Sequence, residues 1–186
     1  MRVIGGELRG RKLLAPRGGR IRPTSDRVRE AIFDILGLEW VYHKVLDLFA
    51  GTGALGIEAL SRGAQEATFV EQGKEALKTL QGNLEDLRLT SRARVLPRAA
   101  KKGIKILSEG REVFDLIFVD PPYGKDMVGK TLQEIAQRGI LSPRGVIVAE
   151  HSPHESIPLP IGMGLFKQKR YGDTAISFFQ WVSSSP

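Results

Sequence analysis

The chain has 186 residues, no cysteine and a net charge of +7. This length allows one domain with a substantial core, so we expect a single domain over residues 1–186, and the missing cysteines exclude disulfides, thiolate metal sites and a cysteine nucleophile. The three histidines lack the partner residues of a metal motif, and no apolar run reaches about 18 residues, so we expect no metal, no membrane contact and a cytoplasmic protein.

The first 24 residues are predicted to form a small basic extension. Residues 1–30 carry nine bases and three acids, so +6 of the net charge lies there. Arginines separated by glycines can bind phosphates without reading a base sequence, although the simpler interpretation is a solvated basic arm. The segment MRVIGGELRGRKLLAP predicts a hairpin or an extended lead-in. Because Arg22 leads into the next helix, we expect the arm beside the active-site cleft, with phosphate contacts from Arg9, Arg11, Lys12 and Arg22.

The stretch RPTSDRVREAIFDIL predicts a helix capped by Thr24 or Ser25 and ended by Gly37. Apolar strands then alternate with helices, which predicts a mostly parallel sheet covered on both faces within residues 25–186. The last apolar runs flank Gly172 and Asp173 too closely for a helix and predict an antiparallel hairpin. The predicted strands are 44–49, 67–71, 93–97, 114–119 and 145–150, and the predicted helices lie near 54–62, 73–87, 100–108 and 127–138.

The stretch DLFAGTGALGIEAL has the G-x-G-x-x-G spacing through Gly51, Gly53 and Gly56, and Glu71 follows in the next predicted strand. By this motif alone the loop could bind a dinucleotide, with a pyrophosphate at the helix start and the acid on a ribose. Two features count against nicotinamide. Asp47 precedes the loop, and a carboxylate there favours a cationic amino-acid group over a pyrophosphate. The chain also has no second domain for a hydride acceptor, whereas a methyl donor with one adenosine and one sulfonium would fit.

Two motifs resemble those of class I S-adenosylmethionine-dependent methyltransferases: DLFAGTG is similar to their donor motif, and VDPPYG to the motif of their amino-methyltransferases. The resemblance implies a Rossmann-like class I methyltransferase fold, an α/β fold whose mostly parallel sheet carries a C-terminal antiparallel hairpin. Nearly the whole chain resembles the bacterial guanine-N2-methyltransferases of 16S ribosomal RNA, the RsmD family. The matching pieces are RVIGGELRGRKL, RPTSDRVREAIFDIL, DLFAGTGALGIEALSRGA, VEQ, DPPYGKD and RYGDTAISFF.

This resemblance implies a monomer that uses S-adenosylmethionine to methylate 16S rRNA within the small ribosomal subunit or its precursor. Glu71 is expected to accept both ribose hydroxyls of the donor. Many relatives have an acid near the adenine, after the third strand, whereas this chain has Leu96-Pro97-Arg98-Ala99-Ala100, so backbone groups would recognise the adenine. The expected donor-binding residues are Asp47, Phe49, Ala50, Gly51, Gly53, Glu71, Gln72, Ala99 and Ala100.

The DPPY segment after the fourth predicted strand is expected to bind the reacting amine. An exocyclic base amine is a poor nucleophile because its lone pair is delocalised into the ring. The Asp120 carboxylate and the Pro121 carbonyl can accept its two hydrogens and direct the lone pair at the donor methyl. Pro121 and Pro122 fix the backbone without a competing N–H, and Tyr123 offers a stacking face for an unstacked base. The alternative is a proline-rich strand exit beside an ordinary buried tyrosine.

Three rival functions stay open on the sequence. An adenine-N6-methyltransferase of DNA or RNA would use the same DPPY chemistry, but it usually needs a target-recognition region for which this chain is too short. A module that binds S-adenosylmethionine or RNA without catalysis would not need Asp120 to Tyr123 intact. A small NAD-binding protein would not bind S-adenosylmethionine. In the terminal hairpin, Tyr171 and Asp173 are interpreted as turn residues that could also contact RNA.

Overall fold

The computed structural model describes residues 1–15, 25–37, 42–122 and 127–182. The predicted contributions of Arg22, Thr24 and Tyr123 therefore lie outside the described residues. Five α-helices are present in these ranges: α1 (Asp26–Leu36), α2 (Ala54–Ser61), α3 (Lys74–Asp86), α4 (Ala100–Glu109) and α5 (Met127–Arg138). The strands are β1 (Lys44–Asp47), β2 (Glu66–Glu71), β3 (Ala93–Pro97), β4 (Phe114–Val119), β5 (Leu141–His151), β6 (Met163–Tyr171) and β7 (Thr174–Trp181).

The strands form one seven-stranded sheet in the order β3-β2-β1-β4-β5-β7-β6. The first five strands along the chain pair in parallel, and β7 pairs antiparallel with both β5 and β6. The predicted parallel sheet and the terminal hairpin are confirmed. No helix in the described part of the chain is long and apolar enough to cross a membrane.

Two strand boundaries differ from the prediction by more than one residue. β1 ends at Asp47 rather than at residue 49, because the chain turns there to bring the Ala50 N–H to the Val70 carbonyl of β2 at 3.1 Å. β5 begins at Leu141 rather than at residue 145, and Leu141 pairs with Phe114 across an irregular register. Pro143 and Gly145 suggest a loop in the sequence, yet the register irregularity accommodates them within the strand.

The sheet has a hydrophobic core on each face. Leu116 and Phe118 of β4 pack into the cluster formed with α1, α2 and α3, whereas Ile117 and Val119 pack into the cluster formed with α4 and α5. This alternation follows from the two-residue period of a strand. Ser25 caps α1 by accepting the Val28 N–H at 3.3 Å, as predicted.

The first 13 residues fold back on themselves, so of the two predicted alternatives the chain adopts the hairpin and not the extended lead-in. Arg2 and Lys12 form an antiparallel bridge, and the Leu13 N–H donates to the Met1 carbonyl at 3.1 Å. The buried Glu58 carboxylate of α2 accepts the backbone N–H groups of Ile4 and Gly5 at 2.8 and 2.7 Å. This contact, with the burial of Val3 and Leu13, attaches the extension to the α1–α3 face of the sheet.

Candidate active site

The site lies where the strand order reverses, at the carboxyl ends of β1 and β4. β1 pairs with β2 on one side and with β4 on the other, and the following helices lie on opposite faces. Ligands of open parallel sheets bind in the crevice that this reversal creates. The Leu48 N–H donates to the Phe118 carbonyl at 3.1 Å, which holds the start of the glycine loop against the end of β4.

The glycine loop between β1 and α2 depends on two glycines with positive φ angles. Gly51 has φ 54° and Gly53 has φ 83°, in the region that side chains with a Cβ rarely adopt. A Cβ at Gly53 would overlap the Leu80 side chain, and a Cβ at Gly56 would overlap the Phe69 ring. A Cβ at Gly51 would meet only its own loop, the Phe49 carbonyl at 3.9 Å, so this surface is open to a ligand.

Asp47 lies beneath this loop with 2% of its surface exposed. Its Oδ2 accepts the Gly56 N–H at 3.2 Å, so the carboxylate holds the first turn of α2. Burial raises the pKa of Asp47 to about 7; the Glu71 charge adds to this, and the backbone N–H groups of Gly56 and Phe49 oppose it. A cationic group of a ligand at the loop would restore the ionised form.

Glu71 is joined to the glycine loop. Its Oε2 accepts the Gly51 N–H at 2.8 Å, and its Oε1 accepts the N–H groups of Gln72 and Gly73 at 2.8 and 2.6 Å. A carboxylate offers about four acceptor positions, so acceptor capacity remains for a hydroxyl. The structure thus brings together Gly51, Glu71 and the backbone of Gln72, three of the positions expected to bind the donor.

The loop after β3 completes this part of the crevice. Pro97 is level with Glu71 in the sheet, so Ala99 and Ala100 follow at the same edge. Both alanines are half-buried, and Ala99 is the cap residue of α4 without a side-chain hydrogen bond. The first N–H groups of a helix have no partner within it, so this loop offers backbone donors at the edge of the crevice.

Asp120 follows β4 directly. Val119 is level with Ala149 of β5, and Phe118 is level with Asp47 of β1, so Asp120 extends from the sheet beside the glycine loop. Asp120 is half-buried, Pro121 is buried and Pro122 is exposed. Across the described ranges, no group of three histidine, aspartate or glutamate side chains could hold a metal ion.

The tip of the N-terminal hairpin lies away from this crevice. Glu7 pairs with Arg92 at 2.7 Å, and Arg92 also donates to the Leu60 and Ala64 carbonyls, near the start of β2. Arg11 donates to the Asp86 carbonyl at the last residue of α3. Arg9, Arg11 and Lys12 are all exposed. The expectation that the whole arm lies beside the cleft is therefore wrong for the tip, because these contacts hold it toward the amino ends of the strands.

The sequence analysis missed Asn83, a buried residue of α3. Its Nδ2 donates to the Thr52 carbonyl at 2.9 Å, and its Oδ1 accepts the Leu14 N–H at 2.6 Å. A signal was present, because Asn83 stands in the apolar stripe of the helix between Leu80 and Leu84. A polar residue at such a position needs partners inside the fold.

Comparison with known proteins assigns the chain to a family. Residues 1–180 match the family model described as Conserved hypothetical protein 95. The chain is 36% identical over 181 residues to ribosomal RNA small subunit methyltransferase D of Escherichia coli K12, covering 97% of this chain and 89% of that protein. It is 38% identical over 181 residues to the "Putative rRNA methyltransferase YlbH" of Bacillus subtilis, covering 97% and 98%.

A solved structure supports the same assignment. The "Putative methyltransferase yhhF" of Escherichia coli superposes with a TM-score of 0.84 at 35% identity, over 97% of both chains. The fold is the Rossmann-like class I methyltransferase fold expected from the sequence. The chain belongs to the Conserved hypothetical protein 95 family, the RsmD family of methyltransferases.

Proposed function

We propose that the protein transfers the methyl group of S-adenosylmethionine to the exocyclic N2 amine of a guanine in 16S rRNA. The observation that carries this proposal is the position of Asp120, directly after β4 and beside the glycine loop of β1. An acceptor at that point faces the place where the loop would present the donor. The names of the relatives, ribosomal RNA small subunit methyltransferase D among them, support this substrate.

The residues at the loop fit the donor. The open surface at Gly51 leaves room for the methionine part, and the Asp47 carboxylate beneath it favours the donor's cationic amino-acid group. The Glu71 carboxylate retains acceptor capacity for a ribose hydroxyl, and the backbone at Ala99 and Ala100 would meet the adenine. When bound, S-adenosylmethionine supplies an electrophilic methyl group on a sulfonium.

The acceptor amine needs help because its lone pair is delocalised into the guanine ring. In our proposal the Asp120 carboxylate and the Pro121 carbonyl each accept one amino hydrogen, which directs the lone pair toward the methyl group. As the nitrogen–carbon bond forms, the sulfur–carbon bond breaks and the nitrogen becomes positive. Asp120 stabilises this charge and accepts the proton that the nitrogen then loses. Tyr123 would stack on the base, and Pro122 would fix the backbone of the segment.

The proposed partner is the small ribosomal subunit or its precursor in the cytoplasm, bound by a monomer of this protein. Purified protein is incubated with labelled S-adenosylmethionine and small subunits from a strain that lacks the gene, and the RNA is digested to nucleosides. We expect label in N2-methylguanosine, and none when the subunits come from a strain that has the gene. Label in N6-methyladenosine, or no transfer at all, would contradict the proposal.

A further inference from the structure

The C-terminal hairpin brings basic residues to the same edge of the sheet as Asp120. Ile176 of β7 is level with both Glu150 of β5 and Lys169 of β6. Because Glu150 follows Ala149, which is level with Val119, the end of β6 lies at the carboxyl edge where Asp120 leaves the sheet. Neighbouring strands lie about 4.8 Å apart, so β6, three strands away, is about 14 Å from β4.

Two lysines of β6 lie on the same face of the sheet. Lys167 is paired with Phe178 and Lys169 with Ile176, and both partners pack into the cluster formed with α1, α2 and α3. Directly paired residues point to the same face. Gln168, between the two lysines, pairs with Ser177 and donates to its hydroxyl at 2.8 Å. Both lysines are exposed.

An exposed aromatic residue continues this row. Phe166 is 44% exposed, and its ring centroid lies 5.9 Å from that of the Phe178 ring. We call Phe166, Lys167 and Lys169 the β6 strip. β6 and β7 contain three bases and no acid, and neither lysine of the strip has an ion-pair partner among residues 1–15, 25–37, 42–122 and 127–182.

The position of β6 at the edge of the sheet offers a simpler explanation of Lys167 and Lys169. Within the described ranges β6 pairs on one side only, and charged residues on such a strand protect it against pairing with another chain. Protection alone does not account for the neighbouring Phe166, because an exposed aromatic ring promotes association. Cations beside an exposed ring are the combination that binds single-stranded nucleic acid, through phosphate contacts and base stacking.

We propose that the β6 strip binds the RNA substrate beside the target nucleotide, with Lys167 and Lys169 on phosphates and Phe166 stacked on an unpaired base. This inference rests on the proposed function, since it assumes an RNA whose target base reaches Asp120. At about 14 Å from β4, the strip contacts flanking nucleotides and not the reacting guanine. The strip therefore contributes to RNA affinity and leaves the chemical step unchanged.

The test compares two double variants that each lose two positive charges. Lys167→Gln/Lys169→Gln removes the lysines of the strip, and Lys78→Gln/Lys105→Gln removes exposed lysines of α3 and α4 as the matched control. Binding of 16S rRNA transcribed in vitro is measured over a range of salt concentrations. We expect the slope of log affinity against log salt to fall by about 1 to 2 units in the strip variant, since each phosphate contact contributes about 0.7 to 0.9.

Kinetics and a third variant separate binding from chemistry. The strip variant should raise KM for the RNA and keep kcat and donor affinity. Phe166→Leu should weaken RNA binding about tenfold without changing the salt slope, because stacking and not charge is lost. Thermal unfolding of each variant verifies that the hairpin still folds.

The outcomes distinguish a failure of the inference about the β6 strip from a failure of the proposed function. A salt slope equal to that of the control variant, with the strip variant now self-associating, would assign the lysines to edge protection and overturn the inference. A wild-type protein that binds donor but methylates no small-subunit RNA would contradict the proposed function instead. Normal methylation by both double variants, with equal KM for RNA, would overturn the inference that the β6 strip binds RNA and would leave the proposed function intact.

Discussion

The side-chain amide of Asn83 donates a hydrogen bond of 2.9 Å to the carbonyl of Thr52, the residue between Gly51 and Gly53. The same side chain accepts the Leu14 N–H at 2.6 Å. One buried residue of α3 therefore joins the N-terminal extension to the loop that would hold the donor. Through this contact the extension can stabilise the glycine loop, although the tip of the extension lies away from the crevice.

Asn83→Ala should lower both stability and donor affinity. The change leaves the part-buried Leu14 N–H and the buried Thr52 carbonyl without their partner, and an unsatisfied buried group costs roughly 1–3 kcal/mol. We expect the free energy of unfolding to fall by about 2–3 kcal/mol and the donor to bind several-fold more weakly. Gln81→Ala, an exposed position on the same helix, is the control. Equal donor affinity in the two variants would show that Asn83 does not position the loop.

Glu71→Ala should weaken donor binding and largely preserve the rate at saturating donor. The carboxylate accepts three backbone N–H groups and is expected to accept the ribose hydroxyls. Hydrogen bonds to a charged group contribute about 1.5–3 kcal/mol, so the Kd of the donor should rise about 10- to 100-fold. Calorimetry measures this rise, with Glu75→Ala in the first turn of α3 as the control. An unchanged Kd would remove Glu71 from the donor site.

Asp120→Ala should show the opposite pattern. Its carboxylate would orient the acceptor amine, so donor binding should stay within a few-fold of wild type and kcat should fall about a hundredfold or more. Asp120→Asn keeps an acceptor oxygen and loses the charge, so its kcat should lie between that of the wild type and that of Asp120→Ala. Near-normal turnover by Asp120→Ala would make the assigned mechanism wrong.

We expect the N-terminal extension to make a second electrostatic contribution to RNA binding. Arg9, Arg11 and Lys12 are exposed on the hairpin, away from Asp120. If all three contact phosphates, their joint replacement by glutamine should lower the salt slope for RNA binding by about 2 to 3 units. Calorimetry should find unchanged donor affinity. An unchanged slope would leave the extension with a structural role only.

The strands and the glycine loop could be predicted because their signals are local. Gly53 and Gly56 stand where Leu80 and Phe69 leave no room for a side chain, and the apolar run before Asp120 gives β4. Contacts between distant segments left no signal of which residues would meet. Glu7 with Arg92, and Leu14 with Asn83, join residues at least 69 positions apart, so the position of the hairpin tip could not be derived from its charge.

The lysines of β6 illustrate the same limit. The segment FKQKRY is visibly basic and aromatic in the sequence, but only the strand order shows where it lies. β6 comes after β5 in the chain and yet occupies the sheet edge beyond β7. Because β7 pairs with both strands, the end of β6 lies level with the end of β5, and therefore with Asp120. Charge alone favoured the N-terminal residues as the RNA-binding residues, because they carry most of the net charge.

The buried Asp47 makes stability depend on pH. Burial raises its pKa to about 7, whereas an aspartate in the unfolded chain has a pKa of about 3.9. Between these values the folded protein holds a proton that the unfolded chain has released. Stability therefore falls as pH rises through this range, and above about pH 7 the protein bears the full cost of a buried charge.

Asp47→Asn removes this titration, and the test compares two pH profiles. The free energy of unfolding of the donor-free protein is measured by urea denaturation from about pH 5 to pH 8. The substituted side chain carries no charge at any pH, so the wild type should lose about 2.5 kcal/mol relative to the variant across this range, whatever constant cost the amide adds. Asp86→Asn, which changes an exposed carboxylate at the end of α3, is the matched control. Parallel profiles for wild type and Asp47→Asn would show that Asp47 is already ionised at pH 5, and that the loop accommodates its charge without a ligand.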